Sequence, residues 1–139
     1  MRIETDSQYY YDVLNIYDRL CQEIVKKYGY IAKATRILGK SSSFLHSPDH
    51  VGSVNNLFDI CNKLDLDFGY ILNGSSYRPS EINLAKLLKT YNAHRYKTRI
   101  PNSIKAIIST IRKGKAKNIK LATLLYLSDL LKSNPFDLI

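Results

Sequence analysis

The stretch SIKAIISTIRKGKAKNIKLATLLYLSDLLKSNPFDLI, residues 103–139, decides the fold of this chain. Its first part repeats isoleucine at the spacing of a helix face and ends on Lys113-Gly114-Lys115, where glycine supplies the left-handed residue that commonly ends a helix. A second helical face follows at Leu121, Leu124, Leu127, Ser128 and Leu131. Asn134-Pro135 then interrupts the chain before a last apolar turn. This order predicts a helix, a glycine turn, a second helix and a short closing turn.

The same pattern occurs earlier in the chain, at an offset of 67 residues. The earlier face consists of Val54, Leu57, Ile60, Cys61 and Leu64. Two helices are predicted before it, one ended by Gly29 and one by Gly39, and Ser80 is the expected N-cap of the next helix after it. We therefore predict an all-α protein of two tandem small bundles of about five helices each. The predicted domains cover 1–74 and 81–139, with a linker over 75–80.

Residues 121–131 and 135–139 resemble the Cro/repressor-type (lambda-repressor-like) helix-turn-helix family. That family has a recognition helix ending in a Gly-Lys turn, then a Leu-x-x-Leu-x-x-Ile-Ala-x-x-Leu helix, then a short closing helix. The first copy is similar to it at Leu38-Gly39 and over 54–74. The resemblance implies two tandem helix-turn-helix domains and a sequence-specific DNA-binding transcriptional regulator of bacterial or phage type, with the C-terminal copy anchored on DNA.

Each copy also departs from the family pattern. In the first, Pro48 is expected to end the segment after the serines early, so that its recognition helix is short. In the second, Pro101 excludes a regular second helix, and Asn102 stands near the glycine position of the turn.

The net charge of +9 is unevenly distributed. Residues 1–76 hold 8 Lys and Arg against 9 Asp and Glu, which gives −1, and residues 77–139 hold 13 against 3, which gives +10. Positive charge concentrated in one half is typical of a protein that binds nucleic acid. The alternative is an ordinary lysine-rich solvated surface, which does not explain the uneven distribution.

The resemblance implies that the helix over 103–113 reads bases in the major groove. Its exposed positions are Lys105, Ala106, Ser109 and Thr110. The cations that follow it have a spacing suited to successive phosphates, and they are Arg112, Lys113, Lys115 and Lys117. The alternative for these cations is a solvated helix end.

Two further groups of residues are candidate DNA contacts. One alternates basic residues with Tyr96, a pattern suited to gripping a phosphate backbone or stacking on exposed bases, and its cations are Arg95, Lys97 and Arg99. The other is the corresponding face of the first copy, Lys40, Ser41, Ser42 and Ser43. For this second group the alternatives of DNA contact and protein interaction stay open.

No motif of an enzyme, a metal site or a cofactor site occurs, so we expect no catalytic activity, no metal and no cofactor. His46 and His50 flank Pro48, which prevents a helix that would place both on one face. Cys21 and Cys61 lie in apolar helical patterns and are predicted to be reduced core thiols. With neither a signal peptide nor an apolar run of ~20 residues, we expect a cytoplasmic, nucleoid-associated protein without a membrane partner.

The expected partner is double-stranded DNA, bound by a homodimer or by a pseudo-dimer of the tandem copies. Phe58 and Leu125, equivalent under the repeat, are candidates for the pseudo-two-fold interface, and a wider buried stripe is their alternative. A second function hypothesis is a protein-interaction module, antitoxin-like or a phage modulator, with a protein partner on the acidic N-terminal half. A third is an architectural or RNA-binding protein driven by charge alone. The sequence leaves these three open.

Overall fold

The computed structural model describes residues 9–139. The first eight residues lie outside the described part. They include the start of the predicted 1–74 domain and the N-terminus for which no signal peptide is expected. Seven α-helices occur in it: α1 (Tyr10–Tyr28), α2 (Ile31–Leu38), α3 (Val54–Leu64), α4 (Phe68–Asn73), α5 (Ala85–His94), α6 (Asn102–Arg112) and α7 (Leu121–Leu130). Four 3-10 turns accompany them: Phe44–His46, Pro48–Val51, Arg95–Lys97 and Pro135–Asp137. No strand forms among the described residues, so the all-α prediction is confirmed.

The buried residues follow the predicted repeat. Leu57 and Leu124 are both fully buried, and so are Leu20 and Leu87, the corresponding pair from α1 and α5. The buried side chains of both halves belong to one continuous cluster. The described residues contain four α-helices in the first half and three in the second. The finer prediction of two bundles of about five helices each is therefore not confirmed.

A cation at one repeat position holds the closing turn of each half. In the first half, Arg19 donates from Nε to the carbonyl of Ile71 at 2.8 Å and from Nη2 to the carbonyl of Leu72 at 2.8 Å. Its equivalent in the second half, Lys86, donates from Nζ to the carbonyl of Phe136 at 2.8 Å. Because the last carbonyls of a helix have no partner within it, these side chains satisfy groups that would otherwise lack a bond.

The two halves meet in a joint with local two-fold symmetry. An isolated antiparallel bridge pairs Ser53 with Lys120, which are equivalent under the repeat of 67 residues. The N–H of Val54 donates to the carbonyl of Ile119 at 2.9 Å, and the N–H of Leu121 donates to the carbonyl of Gly52 at 2.8 Å. The two donors, Val54 and Leu121, are equivalent under the repeat, and so are the two acceptors, Gly52 and Ile119. These two hydrogen bonds are therefore related by a local two-fold axis.

Asparagines extend this joint on one side only. The side chain of Asn118 accepts from the N–H of Asn55 at 2.9 Å and donates to Oγ of Ser53 at 3.0 Å. The side-chain amide nitrogen of Asn55, Nδ2, in turn donates to the carbonyl of Lys117 at 2.9 Å. The Oδ1 atom of Asn55 is buried and has no hydrogen-bond partner in the described part of the chain. The loop between α6 and α7 is thereby fixed to the start of α3.

Phe58 and Leu125, the predicted pseudo-two-fold pair, are both half-buried against the common core. Phe58 packs edge-on against Phe68 of its own half, with ring centroids 5.9 Å apart. The connection between the halves described above is a backbone joint with asparagine side chains, which no apolar pattern indicates.

The structure confirms one local prediction and corrects two others. The turn after the serines ends at His46, just before Pro48, as predicted. Pro48 then begins a second 3-10 turn, because its fixed φ suits the first position of a helical turn. Ser80 does not cap α5, which begins at Ala85 after Leu84. Asn102 is the first residue of α6 and does not form a left-handed turn.

The linker packs closely on α4. The carboxylate of Asp67 accepts from the N–H of Tyr70 at 3.1 Å, which caps α4, and from the N–H of Tyr77 at 2.9 Å. The N–H of Gly69 donates to the carbonyl of Tyr77 at 2.8 Å. A Cβ atom on Gly69 would lie only 2.4 Å from Cβ of Tyr77, so this approach of the two segments requires glycine.

Candidate nucleic-acid interface

Helix α6 presents one apolar face to the core and one polar face to solvent. Ile104, Ile108 and Ile111 are buried, as expected for apolar residues at helical spacing. On the opposite face Lys105, Ala106 and Thr110 are exposed and Ser109 is half-buried. The Thr110 hydroxyl donates to the carbonyl of Ala106 at 2.9 Å, so its proton is used within the helix. The face therefore offers one ammonium donor, two hydroxyl oxygens and two methyl groups.

The predicted end of α6 is confirmed. Gly114 has a φ of 75°, and the N–H of Lys115 donates to the carbonyl of Thr110 at 3.1 Å. Gly39 ends α2 with a φ of 69° and a corresponding bond from Lys40 to Thr35 at 3.1 Å. Between α6 and α7 no further helix forms, because the short segment from 113 to 120 runs directly into the joint.

A cluster of cations lies at the C-terminal end of α6. Its members are all exposed: Arg112, Lys113, Lys115 and Lys117. Arg112 donates from Nη2 to the Asn92 side chain of α5 at 3.2 Å. The loop is fixed at its other end, where Asn55 binds the Lys117 carbonyl. These four side chains are therefore presented by a backbone that is held on both sides.

A second group of cations lies around an open cleft at the N-terminal end of α6. The cleft has a volume of about 460 Å³, and Arg95, Arg99 and Lys105 all line it. Lys97 is exposed but is not among the lining residues. Arg95 donates from Nη2 to the Tyr96 hydroxyl at 2.6 Å, and its guanidinium carbon lies 4.7 Å from the centroid of that ring. The hydrogen bond to Tyr96 raises the pKa of Arg95 further above its usual value.

Residues 82–128 contain eleven Lys and Arg residues and no Asp or Glu. The four ion pairs formed between described residues are all located within 23–78: Glu23–Lys26, Lys27–Asp65, Asp59–Lys63 and Asp65–Arg78. The ten cations from Lys86 to Lys117 form no ion pair with any residue of the described part. The region around α6 is thus a surface of strongly positive potential.

The candidate residues of the first half are arranged differently. Ser41, Ser42 and Ser43 are exposed, but only two short 3-10 turns follow them before α3. Nζ of Lys40 lies 5.4 Å from the centroid of the Phe44 ring. This segment presents no regular helix to a partner, and its only candidate cation is Lys40.

The structure adds residues that the sequence analysis did not propose as parts of the interface. Asn92 and Asn118 hold the two sides of the cationic loop, and Tyr91 and Asn102 line the cleft. Asparagines carry no charge and no periodic signal, so only their positions in the fold reveal these contacts.

Cys61 is buried as predicted, and burial raises the pKa of its thiol to about 12.

The described residues contain no group of three or more His, Cys, Asp or Glu side chains that could hold a metal ion. None of the helices described is long and apolar enough to cross a membrane. Comparison of the chain with protein-family models, curated proteins and solved structures finds no significant match. The resemblance to the Cro/repressor-type family therefore stays a prediction from the residues quoted above.

Proposed function

We propose that this protein is a sequence-specific DNA-binding transcriptional regulator of bacterial or phage type, anchored on DNA by its C-terminal half. The observation that carries the proposal is the acid-free surface around α6, with exposed cations at both ends of one helix. Phosphate contacts supply most of the non-specific affinity of such proteins and position them on the duplex. Residues between the two cationic ends are then available to contact bases.

The dimensions of α6 support this arrangement. At 1.5 Å per residue, the distance along the helix axis is about 10 Å from Lys105 to Arg112 and about 15 Å from Asn102 to Arg112. The major groove of B-DNA is about 12 Å wide. Arg112 at one end of α6, and Arg95 and Arg99 of the cleft at the other, therefore suit phosphates on the two strands that border the groove. Lys105, Ala106, Ser109 and Thr110 lie between these ends, where base edges would be reached.

The near-neutral first half has a secondary role in this proposal. It offers three serines and Lys40 where the second half offers a run of cations. The Ser53–Lys120 bridge attaches it beside the loop after α6. We propose that it is positioned by the second half and adds few phosphate contacts of its own.

The proposal is tested by separating base contacts from phosphate contacts. A duplex selected from a random pool by the full-length protein is compared with a scrambled duplex. We expect Lys105→Ala to weaken binding to the selected duplex more than to the scrambled one, by about 1–3 kcal/mol. Lys115→Ala should weaken binding to both duplexes about equally. Lys33→Ala, an exposed change in the first half, is the control and should alter neither affinity.

Two results would contradict the proposal. If no duplex binds at low salt, the cationic surface does not serve DNA. If Lys105→Ala and Lys115→Ala act equally on every sequence, α6 does not read bases.

A charge-driven architectural binder is the second candidate function. The Thr110–Ala106 hydrogen bond favours this second candidate. Because this bond uses the Thr110 hydroxyl proton, Lys105 is the main donor left on the exposed face of α6 for base recognition. Recovery of no preferred sequence from the random pool would support this candidate.

A further inference from the structure

The cleft at the start of α6 contains an aromatic ring that binding to duplex DNA does not require. Tyr96 is 80% exposed, the most exposed of the large hydrophobic side chains described. Its ring has the Arg95 guanidinium on one side, 4.7 Å from the centroid, and that guanidinium also donates to the ring's own hydroxyl. An exposed ring with a cation over one face has its other face available for stacking by a planar group.

The charges of the cleft suit a phosphate group. Arg95, Arg99 and Lys105 line it together, and no acidic residue occurs within 82–128. Arg95 uses one of its five N–H donors on Tyr96, which leaves others for an anion. No side chain caps the first turn of α6, so the N–H of Asn102 also faces this end of the helix without a capping partner.

We propose that this cleft binds one unpaired nucleotide unit, with its phosphate among Arg95, Arg99 and Lys105 and its base stacked on Tyr96. The volume of about 460 Å³ lies within the range of about 300–1,000 Å³ found for small-molecule sites. Aromatic side chains bind unpaired bases of any sequence by stacking, while basic residues follow the backbone. Bases within a duplex stack on one another and are not available to Tyr96. The inference thus goes beyond the proposed duplex contact, although it shares cations with it.

Two sources supply a nucleotide with an unpaired base: a free mononucleotide and a single strand of nucleic acid. The experiment uses thymidine 5′-monophosphate for the first and a fluorescein-labelled oligothymidylate of ~10 nucleotides for the second. A blunt-ended duplex is the third probe. Binding of the labelled probes to the full chain is followed by fluorescence anisotropy at low salt, and the mononucleotide is added as a competitor.

Tyr96→Ala removes the ring and leaves every charge in place. We expect it to weaken oligothymidylate binding about 5- to 150-fold, the loss of one base stack, and to weaken duplex binding much less, because no charge is removed. Tyr96→Phe keeps the ring and should bind within about two-fold of the original chain. Tyr11→Ala is the matched control, because Tyr11 is 76% exposed and lies on α1, outside the cleft.

The outcomes separate this inference from the proposed function. Oligothymidylate binding that depends on Tyr96 supports the cleft even if no duplex binds, a result that would refute only the proposed function. Displacement of the oligothymidylate by the mononucleotide assigns the cleft to free nucleotides, and failure to displace it assigns the cleft to single strands. The inference is overturned if oligothymidylate does not bind at low salt, if Tyr96→Ala binds it as the original chain does, or if Tyr11→Ala has the same effect.

Discussion

The cationic loop after α6 allows the number of phosphate contacts to be counted by mutation. We consider the double variant Lys115→Gln with Lys117→Gln. Both side chains are exposed and form no ion pair within the described residues. The hydrogen bonds that hold this loop use the carbonyl of Lys117 and the side chain of Asn118. The substitutions therefore remove two charges and leave the backbone contacts in place.

The magnitude follows from counterion release. Eight candidate cations surround α6: Arg95, Lys97, Arg99, Lys105, Arg112, Lys113, Lys115 and Lys117. If each neutralises one phosphate, log affinity falls against log salt with a slope of about −7, since each contact contributes about −0.9. The double variant should have a slope of about −5. Between about 50 and 200 mM salt, the original chain should lose roughly 10⁴-fold in affinity and the variant roughly 10³-fold.

The assay is duplex binding by fluorescence anisotropy at several salt concentrations. The control is Lys26→Gln with Lys33→Gln, which removes the same charge from exposed positions in the first half. We expect the control to keep the slope of the original chain, because net charge at a distance is screened within about 10 Å at 0.1 M salt. The reasoning is refuted if both double variants change the slope equally, since binding would then follow total charge and not a defined surface.

Two further predictions concern the contact between the linker and α4. Gly69→Ala should lower the free energy of unfolding by about 2 kcal/mol or more, because the new Cβ would lie 2.4 Å from Cβ of Tyr77 and the segments must separate. Gly52→Ala is the control: the nearest atom to its new Cβ would be 3.7 Å away, so the free energy of unfolding should change little. Urea unfolding followed by circular dichroism compares the two variants. Equal losses of stability would contradict the clash at Gly69. Burial of Asp67 raises its pKa, but hydrogen bonds from Ser76, Tyr77 and Tyr70 outweigh it, and the pKa lies below its usual value. The stabilisation from Asp67 is therefore complete above the unfolded pKa of about 3.9 and is lost as pH falls through the lower folded pKa. Asp67→Asn should lose stability at neutral pH and should show a weaker decline on acidification; an unchanged decline would show that Asp67 is not responsible.

The helices of this fold were largely predictable because their signals are local. The periodicity of apolar residues and the glycines at 39 and 114 fix where α2 and α6 end, and both depend only on neighbouring residues. The repeat also identified which leucines would be buried in each half. The sequence predicted that α5 starts just after Ser80, but the helix begins at Ala85. A serine suitable for capping says nothing about what the rest of the linker contacts.

The joint and the cleft were not predictable from the same signals. The joint depends on one hydrogen bond from Leu121 to Gly52 and one from Val54 to Ile119, and the partners of each are far apart in the chain. The cleft depends on the turn at Arg95–Lys97 and the path to Pro101, which place Arg95 and Lys105 around one cavity. The sequence shows that both residues are basic, but only the path of the backbone between them determines whether they face the same ligand.

The local two-fold axis between Ser53 and Lys120 has a consequence for how such a chain varies. In a symmetric homodimer a single substitution changes both subunits, so every surface residue must suit two positions at once. In this chain the equivalent positions belong to one polypeptide and are inherited separately. The pair at the axis already shows this freedom, since one side carries a hydroxyl and the other an ammonium group. One half can therefore accumulate positive charge while its partner stays near neutral, which is the distribution that the sequence has.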